Sequence, residues 1–293
     1  MTPERKCFIT DRVGFVELLD VFGDDLSVVN AARVSFHKES KKLTIGDERL
    51  ITYLVKHAHV TPFFHPQIKF RIKMPIFLAR EWYRHTIGFA RNEVSRRYVT
   101  DAPQFWEPDG WRKASKTKKQ GSSDEMLEGQ KGLDHRVSCA KHYCANLYQQ
   151  LVEKDGVCPE LARTILPQSM YTEFIETGSL AAYARLCHLR LGEDAQKEIR
   201  DYAELVSQLI HRHFPVCWSA LRGLERPSQE PEPVEPTDQT TPQGEISTWS
   251  GEVWPTANAL QWERCQARPE GGVVGRGDVC EPVVDGGRDV EER

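Results

Sequence analysis

The chain has 293 residues, of which 39% are hydrophobic and 28% charged, a balance that suits a soluble globular protein. No run of about 18 apolar residues occurs, and the opening MTPERKCFITDRVG lacks the apolar stretch of a secretory signal, so neither a membrane span nor secretion is expected. The net charge of −4 is unevenly spread: 226–293 carries 14 acidic against 6 basic residues, and 1–225 carries 33 basic against 29 acidic, a mildly basic body that suits small anions better than long nucleic acid.

Residues 13–22, VGFVELLDVF, predict a strand, and GDDLSVVNAARVSF predicts a short helix capped near Asp24 or Asp25. Asp47 is placed to cap a helix through LITYLVKH. In 67–74, Ile68, Phe70, Ile72 and Met74 alternate with Lys69, Arg71 and Lys73, the pattern of a half-buried strand. Pro75 suits the first turn of a helix PIFLAREWYRHT, which runs off into a loop at Gly88. The polar segment 108–125 reads as a surface loop. Helical periodicity returns at Ala140, Tyr143, Cys144, Leu147, Tyr148 and Leu151, and again in helices from Pro159 (ELARTILP) and Ser179 (LAAYARLCHLR). A last helix from Asp194 to about His213 puts Ile199, Tyr202, Ala203, Val206, Leu209 and Ile210 on one stripe. The pattern predicts an α+β fold over 1–225, a single domain in which an antiparallel sheet packs against several helices. Residues 226–293 hold 8 of the 17 prolines and 8 of the 20 glycines, so a disordered tail is expected there.

Eight scattered cysteines without a CxxC pair predict free thiols in a reducing compartment, and hence a cytoplasmic protein. The stretch EWYRHTIGFARNEVSRRY (81–98) concentrates Arg84, Arg91, Arg96 and Arg97, with Arg80 just before it. A salt-bridged solvated face explains such a run, and so does a site for an anion. The interleaved Trp82, Tyr83, Phe89 and Tyr98 suit phosphates and stacked heterocycles. His57, His59 and His65 in KHAHVTPFFH lack helical i, i+4 pairing and a nearby acidic or thiol ligand, so no metal site is expected. Cys187 and His188 would point about 100° apart on a helix, which favours a buried thiol over a nucleophile–base pair. Arg163 and Arg190 sit in apolar helical settings, where an arginine either snorkels or meets an anion or polarised carbonyl.

Taken in order, AARVSF (31–36), KHAHVTPFFH (56–65), MPIFLAREWYRH (74–85), NEVSRRY (92–98), KKQGS (118–122), LARTILP (161–167) and CHLRL (187–191) resemble the flavin-dependent thymidylate synthases, over residues 12 to 220. The family's arginine-histidine-arginine triplet, followed by seven residues and a serine, reads here Arg84-His85-Thr86 followed by eight residues (87–94) and Ser95. Arg91, in the lengthened loop, is the candidate replacement guanidinium.

The resemblance implies methylation of dUMP to dTMP without a protein nucleophile, using FAD, NADPH and 5,10-methylenetetrahydrofolate, in a homotetramer with active sites between subunits. It implies flavin contacts at Thr61, Arg84, His85, Thr86 and Glu93. Ser179, Ala181 and Arg185 stand where family members often place asparagine, arginine and asparagine, and Ser179 and Arg185 are carried over as flavin contacts. It implies dUMP contacts at Glu81, Arg84, Glu93, Val94, Ser95, Arg96, Arg97, Arg163 and Arg190, the last polarising the uracil ring. No metal, membrane or nucleic-acid partner is implied. Three other readings stay open: a relative that binds nucleotide or flavin without turnover, a single-strand binder using the arginine–aromatic stretch, and a transferase using Cys187.

Overall fold

A computed structural model describes residues 5–115 and 122–224; the expected tail, 226–293, and all of KKQGS except Ser122 lie outside them. In chain order the elements are β1 (Lys6–Phe8), β2 (Phe15–Phe22), α1 (Asp25–Arg33), α2 (Ile45–Lys56), β3 (Gln67–Pro75), α3 (Ile76–Trp82) and β4 (Phe89–Glu93). Then follow β5 (Arg112–Ala114), β6 (Ser122–Met126), α4 (Lys131–Glu153), α5 (Pro159–Ala162), β7 (Tyr171–Ser179), α6 (Leu180–Arg190), α7 (Lys197–His211) and α8 (Pro215–Arg222). Five strands make an antiparallel sheet in the order β1-β2-β3-β7-β4, and β5 and β6 pair separately.

The predicted alternation holds in β3, where Ile68, Phe70, Ile72 and Met74 are fully buried and Lys69 is exposed. The opposite face is a charged ladder across four strands, Lys6–Glu17–Arg71–Glu173, with separations of 4.0, 3.9 and 3.6 Å. All six residues of the predicted α7 stripe are buried, in one core cluster with residues of β2, β3, α1, α2, α6 and α8. Asp24 caps α1 by accepting from the Ser27 N–H at 2.8 Å, while Ser27 Oγ accepts from the Asp24 N–H at 3.0 Å. In α2 the cap is Thr44 rather than Asp47. Asp47 sits three residues in, reaches back to the Thr44 N–H at 3.0 Å and takes Arg33 as an ion pair.

The structure departs from the sequence reading at other elements too. The segment 108–125 contains the β5–β6 pair rather than only loop. Helix α3 ends at Trp82, short of Thr86, and the chain turns into the unpredicted edge strand β4. The unpredicted β7 lies next to β3 near the middle of the sheet. The unpredicted α8 is capped from across the fold, its Val216 and Cys217 N–H groups each donating to the buried Asp25 carboxylate at 2.9 Å. Among the described residues no helix is long and apolar enough to cross a membrane.

Candidate active site

Helix α3 continues directly from β3 at Pro75 and α6 directly from β7 at Ser179. Those residues lie at opposite ends of the β3–β7 pair, in which Pro75 faces Tyr171 and Gln67 faces Ser179. The C-terminal ends of the two helices meet. There Arg190, the last residue of α6, pairs through Nη1 with the Glu81 carboxylate, donates from Nε to His85 Nε2 at 2.9 Å, and brings Nη2 within 3.5 Å of the Glu81 carbonyl. A cation there also suits the negative ends of both helix dipoles. The guanidinium is sheltered, with 17% of the side chain exposed.

Arginine Nε can only donate, so His85 Nε2 carries the lone pair and the neutral ring holds its proton on Nδ1. Burial first, and then the charges of Arg190, Arg91, Arg185 and Arg84, push the imidazole down to about 4. Three sequence candidates, Glu81, His85 and Arg190, are thus joined as one unit.

A second group forms where the loop after α3 touches the start of α6. Arg185 donates to the Ile87 carbonyl at 2.6 Å and lies 5.9 Å from the Phe64 ring. Ser179 donates its N–H to the Gly88 carbonyl at 3.2 Å, and its hydroxyl caps α6 by accepting from Ala182 at 3.2 Å. Gly88 has φ +81°, and an added Cβ would lie 3.0 Å from Ala182 Cβ. Thr61, Arg84 and Thr86 are exposed nearby in sequence.

A third group leaves the end of β4. Glu93 accepts from the Thr172 hydroxyl at 2.5 Å, and the Val94 N–H extends the β4–β7 ladder to the Glu173 carbonyl at 2.9 Å. The chain then turns: Ser95 Oγ accepts from Arg97 N at 3.3 Å and Nε at 3.4 Å, Arg97 lies 5.2 Å from the Tyr98 ring, and Arg96 bonds the Asp101 carbonyl. Arg163 is exposed beside α5 and donates to the Glu160 carbonyl at 3.3 Å, and among the described residues no bond ties it to these groups.

Arg91 departs from its sequence expectation. It turns inward on β4 and pairs with Glu176 of β7, so its guanidinium does not replace the arginine missing at Thr86. Glu176, between Ile175 and Thr177, carried no signal in the sequence beyond its charge.

His57 and His59 are exposed and gather around Tyr53, with ring centroids 4.3 and 6.0 Å away, and among the described residues no His, Cys, Asp or Glu cluster is arranged for a metal. Cys187 is fully buried, donates to the Ala203 carbonyl at 3.7 Å, and has its thiol pushed up to about 12 by burial. It is no thiolate at neutral pH. Two cavities flank α4, near Trp111 and Asp134 and near Cys144 and Pro167, and include none of the candidate residues.

A family model described as thymidylate synthase complementing protein matches residues 17–216. The chain is 40% identical over 207 residues to a flavin-dependent thymidylate synthase of Thermus thermophilus, covering 71% of this chain and 75% of that protein. It is 40% identical over 210 residues to the flavin-dependent thymidylate synthase of Thermosipho africanus, covering 71% and 90%. Its fold is similar to that of the UMP/dUMP methylase PolB from Streptomyces cacaoi bound with 5-Br dUMP, with a TM-score of 0.64 and 29% identity over 71% of this chain and 94% of that one. The family match spans all three groups, and the chain belongs to the thymidylate synthase complementing protein family, that of the flavin-dependent thymidylate synthases.

Proposed function

We propose that the chain methylates dUMP at C5 to give dTMP, taking the carbon from 5,10-methylenetetrahydrofolate and its reducing equivalents from NADPH through FAD. The observation that carries this reading is the Glu81–His85–Arg190 unit. Uracil C5 becomes nucleophilic when negative charge developing at N3 and O2 is stabilised. Arg190 offers a guanidinium that is sheltered from water and held on two sides. Its Nη2, bonded only weakly to Glu81, keeps hydrogens to offer the pyrimidine. Neutral His85 fixes the guanidinium without adding a competing cation.

Arg97 and the exposed Arg163 suit the nucleotide phosphate, and the Ser95 hydroxyl, an acceptor from Arg97, still has its own proton to donate. Glu81, Arg84, Glu93, Val94 and Arg96 complete the dUMP assignment. The donor set also fits FAD: Arg84 is exposed, and Thr61 and Thr86 are exposed hydroxyls. The glycine at 88 brings that loop close to Ala182. Ser179 and Arg185 are already engaged, as helix cap and carbonyl clamp, and fit better as builders of the flavin loop than as direct contacts. When bound and reduced, FAD supplies the hydride that completes the methyl group. Arg163 is exposed, and a second copy could bring it or its ligand to Arg190, as in the homotetramer the resemblance implies. In this reading residues 1–225 are the catalytic domain.

The test is dTMP formation from dUMP, methylenetetrahydrofolate and NADPH, with and without FAD. Flavin-dependent turnover that falls about 10²–10³-fold in Arg190→Ala is expected. Flavin bound without turnover would make the chain a non-catalytic relative. Flavin-independent turnover lost in Cys187→Ser would replace the mechanism with a cysteine-dependent one.

A further inference from the structure

We infer that Arg91 and Glu176 lock the register of β4, which makes Arg91 a positioning residue for the turn 93–97; the consequence for nucleotide binding rests on the dUMP reading above. Strand β4 is a five-residue edge strand, bonded on one side only, to β7. Its sequence, FARNE, has little apolar pattern to fix which face points inward, and polar edge strands are prone to slip. Arg91 lies directly opposite Glu176 in the ladder and donates from Nε to its carboxylate. The guanidinium is 14% exposed and the carboxylate 0%. Phe89 and Tyr83 hold the guanidinium in place, at 4.7 and 5.4 Å from their ring centroids.

Glu176 also accepts from Trp82 Nε1, at 3.2 Å to each oxygen, so one buried carboxylate ties β4 and β7 to the end of α3, next to Glu81. Among the described residues Arg91 Nη2 is buried without a partner, so the Nε bond to Glu176 carries the polar pairing of this side chain. A one-residue slip would turn Arg91 to the open face and set Ala90 or Asn92 opposite Glu176. The carboxylate would then stay buried without a cation, a state that breaking a buried pair makes strongly unfavourable. The same slip would carry Glu93 and Ser95 about 3.3 Å along the sheet, away from Thr172. The longer loop thus spends its arginine inside the sheet, where it places the turn without touching the ligand.

The experiment uses the full chain as wild type, Arg91→Met and the double variant Arg91→Met/Glu176→Gln. It measures thermal unfolding, dUMP affinity by calorimetry, and hydrogen exchange of the 89–93 amides. Arg91→Met is expected to lose both stability and dUMP affinity. The double variant removes the unpaired charge and keeps an acceptor for Trp82, so it is expected to regain most of the stability. Its dUMP Kd is expected to stay at least about tenfold weaker, with protection of the 89–93 amides reduced relative to the rest of the sheet. A stable double variant with wild-type dUMP affinity would overturn the inference, as would an Arg91→Met protein that binds dUMP like wild type. Should the wild type itself bind no dUMP, the functional reading fails, and exchange alone decides the lock. Selective loss of protection in 89–93 of the double variant then supports it, and unchanged protection overturns it.

Discussion

A proton on His85 would undo the arrangement of Arg190. It would set one N–H against another at the 2.9 Å contact and place a second cation beside the guanidinium. Burial and the surrounding arginines prevent this by holding the ring near 4, against about 6.5 for a free imidazole. Between about 4 and 6.5 the unfolded chain binds more protons than the folded one, so the contribution of His85 to stability is complete above about 6.5 and is lost as pH falls through that window. The kcat/KM for dUMP is therefore expected to show an acid limb from His85 near pH 4, and His85→Gln, whose amide oxygen can still accept from Arg190, is expected to lose that limb. A limb at about 6.5 in a pH–rate profile would show a normally titrating histidine and disprove the sheltered contact. The members of this unit were legible in the sequence because Glu81, His85 and Arg190 fall in matched motifs, but their joining was not, since the motifs placed His85 with the flavin and the other two with dUMP. Glu176 was not, because a single acidic residue becomes significant only when folding places an arginine and a tryptophan on it.

At the level of elements, the junction between the loop after α3 and the start of α6 depends on the absence of a side chain at 88. Gly88→Ala would meet two penalties, a positive φ of +81° and a Cβ 3.0 Å from Ala182 Cβ and 3.2 Å from Ser179 Oγ. A loss of about 1–3 kcal/mol is expected in denaturant unfolding, with weaker FAD binding, since Arg185 clamps the adjacent Ile87 carbonyl. Unchanged stability and flavin affinity would mean that the loop can move away without cost. The legible elements were those whose side chains alternate between core and water, such as β3 and the α7 stripe. Strands β4 and β7 hid themselves because their shared buried face holds a charge pair, which erases the apolar alternation that marks a strand. Helix α8 was hidden for another reason: its cap, Asp25, lies about 190 positions away in the chain.

For the whole molecule, the placement of Arg163 is the telling feature. The residue is exposed and among the described residues bonds only within its own turn, while Arg190 is closed into a unit at the meeting of α3 and α6. If one dUMP is held by both arginines and they come from different copies, each active site needs one intact Arg163 and one intact Arg190 from separate chains. Arg163→Ala and Arg190→Ala should then each be inactive alone, yet regain activity when the two are coexpressed. Random assembly would restore about a quarter of the sites. Arginines contributed by the same chain give the opposite result, because every mixed site would lack one of them and activity would stay at the level of the single variants. Sedimentation of the mixed species separates failure to assemble from failure to complement, so a tetramer without rescue would place the site within one subunit.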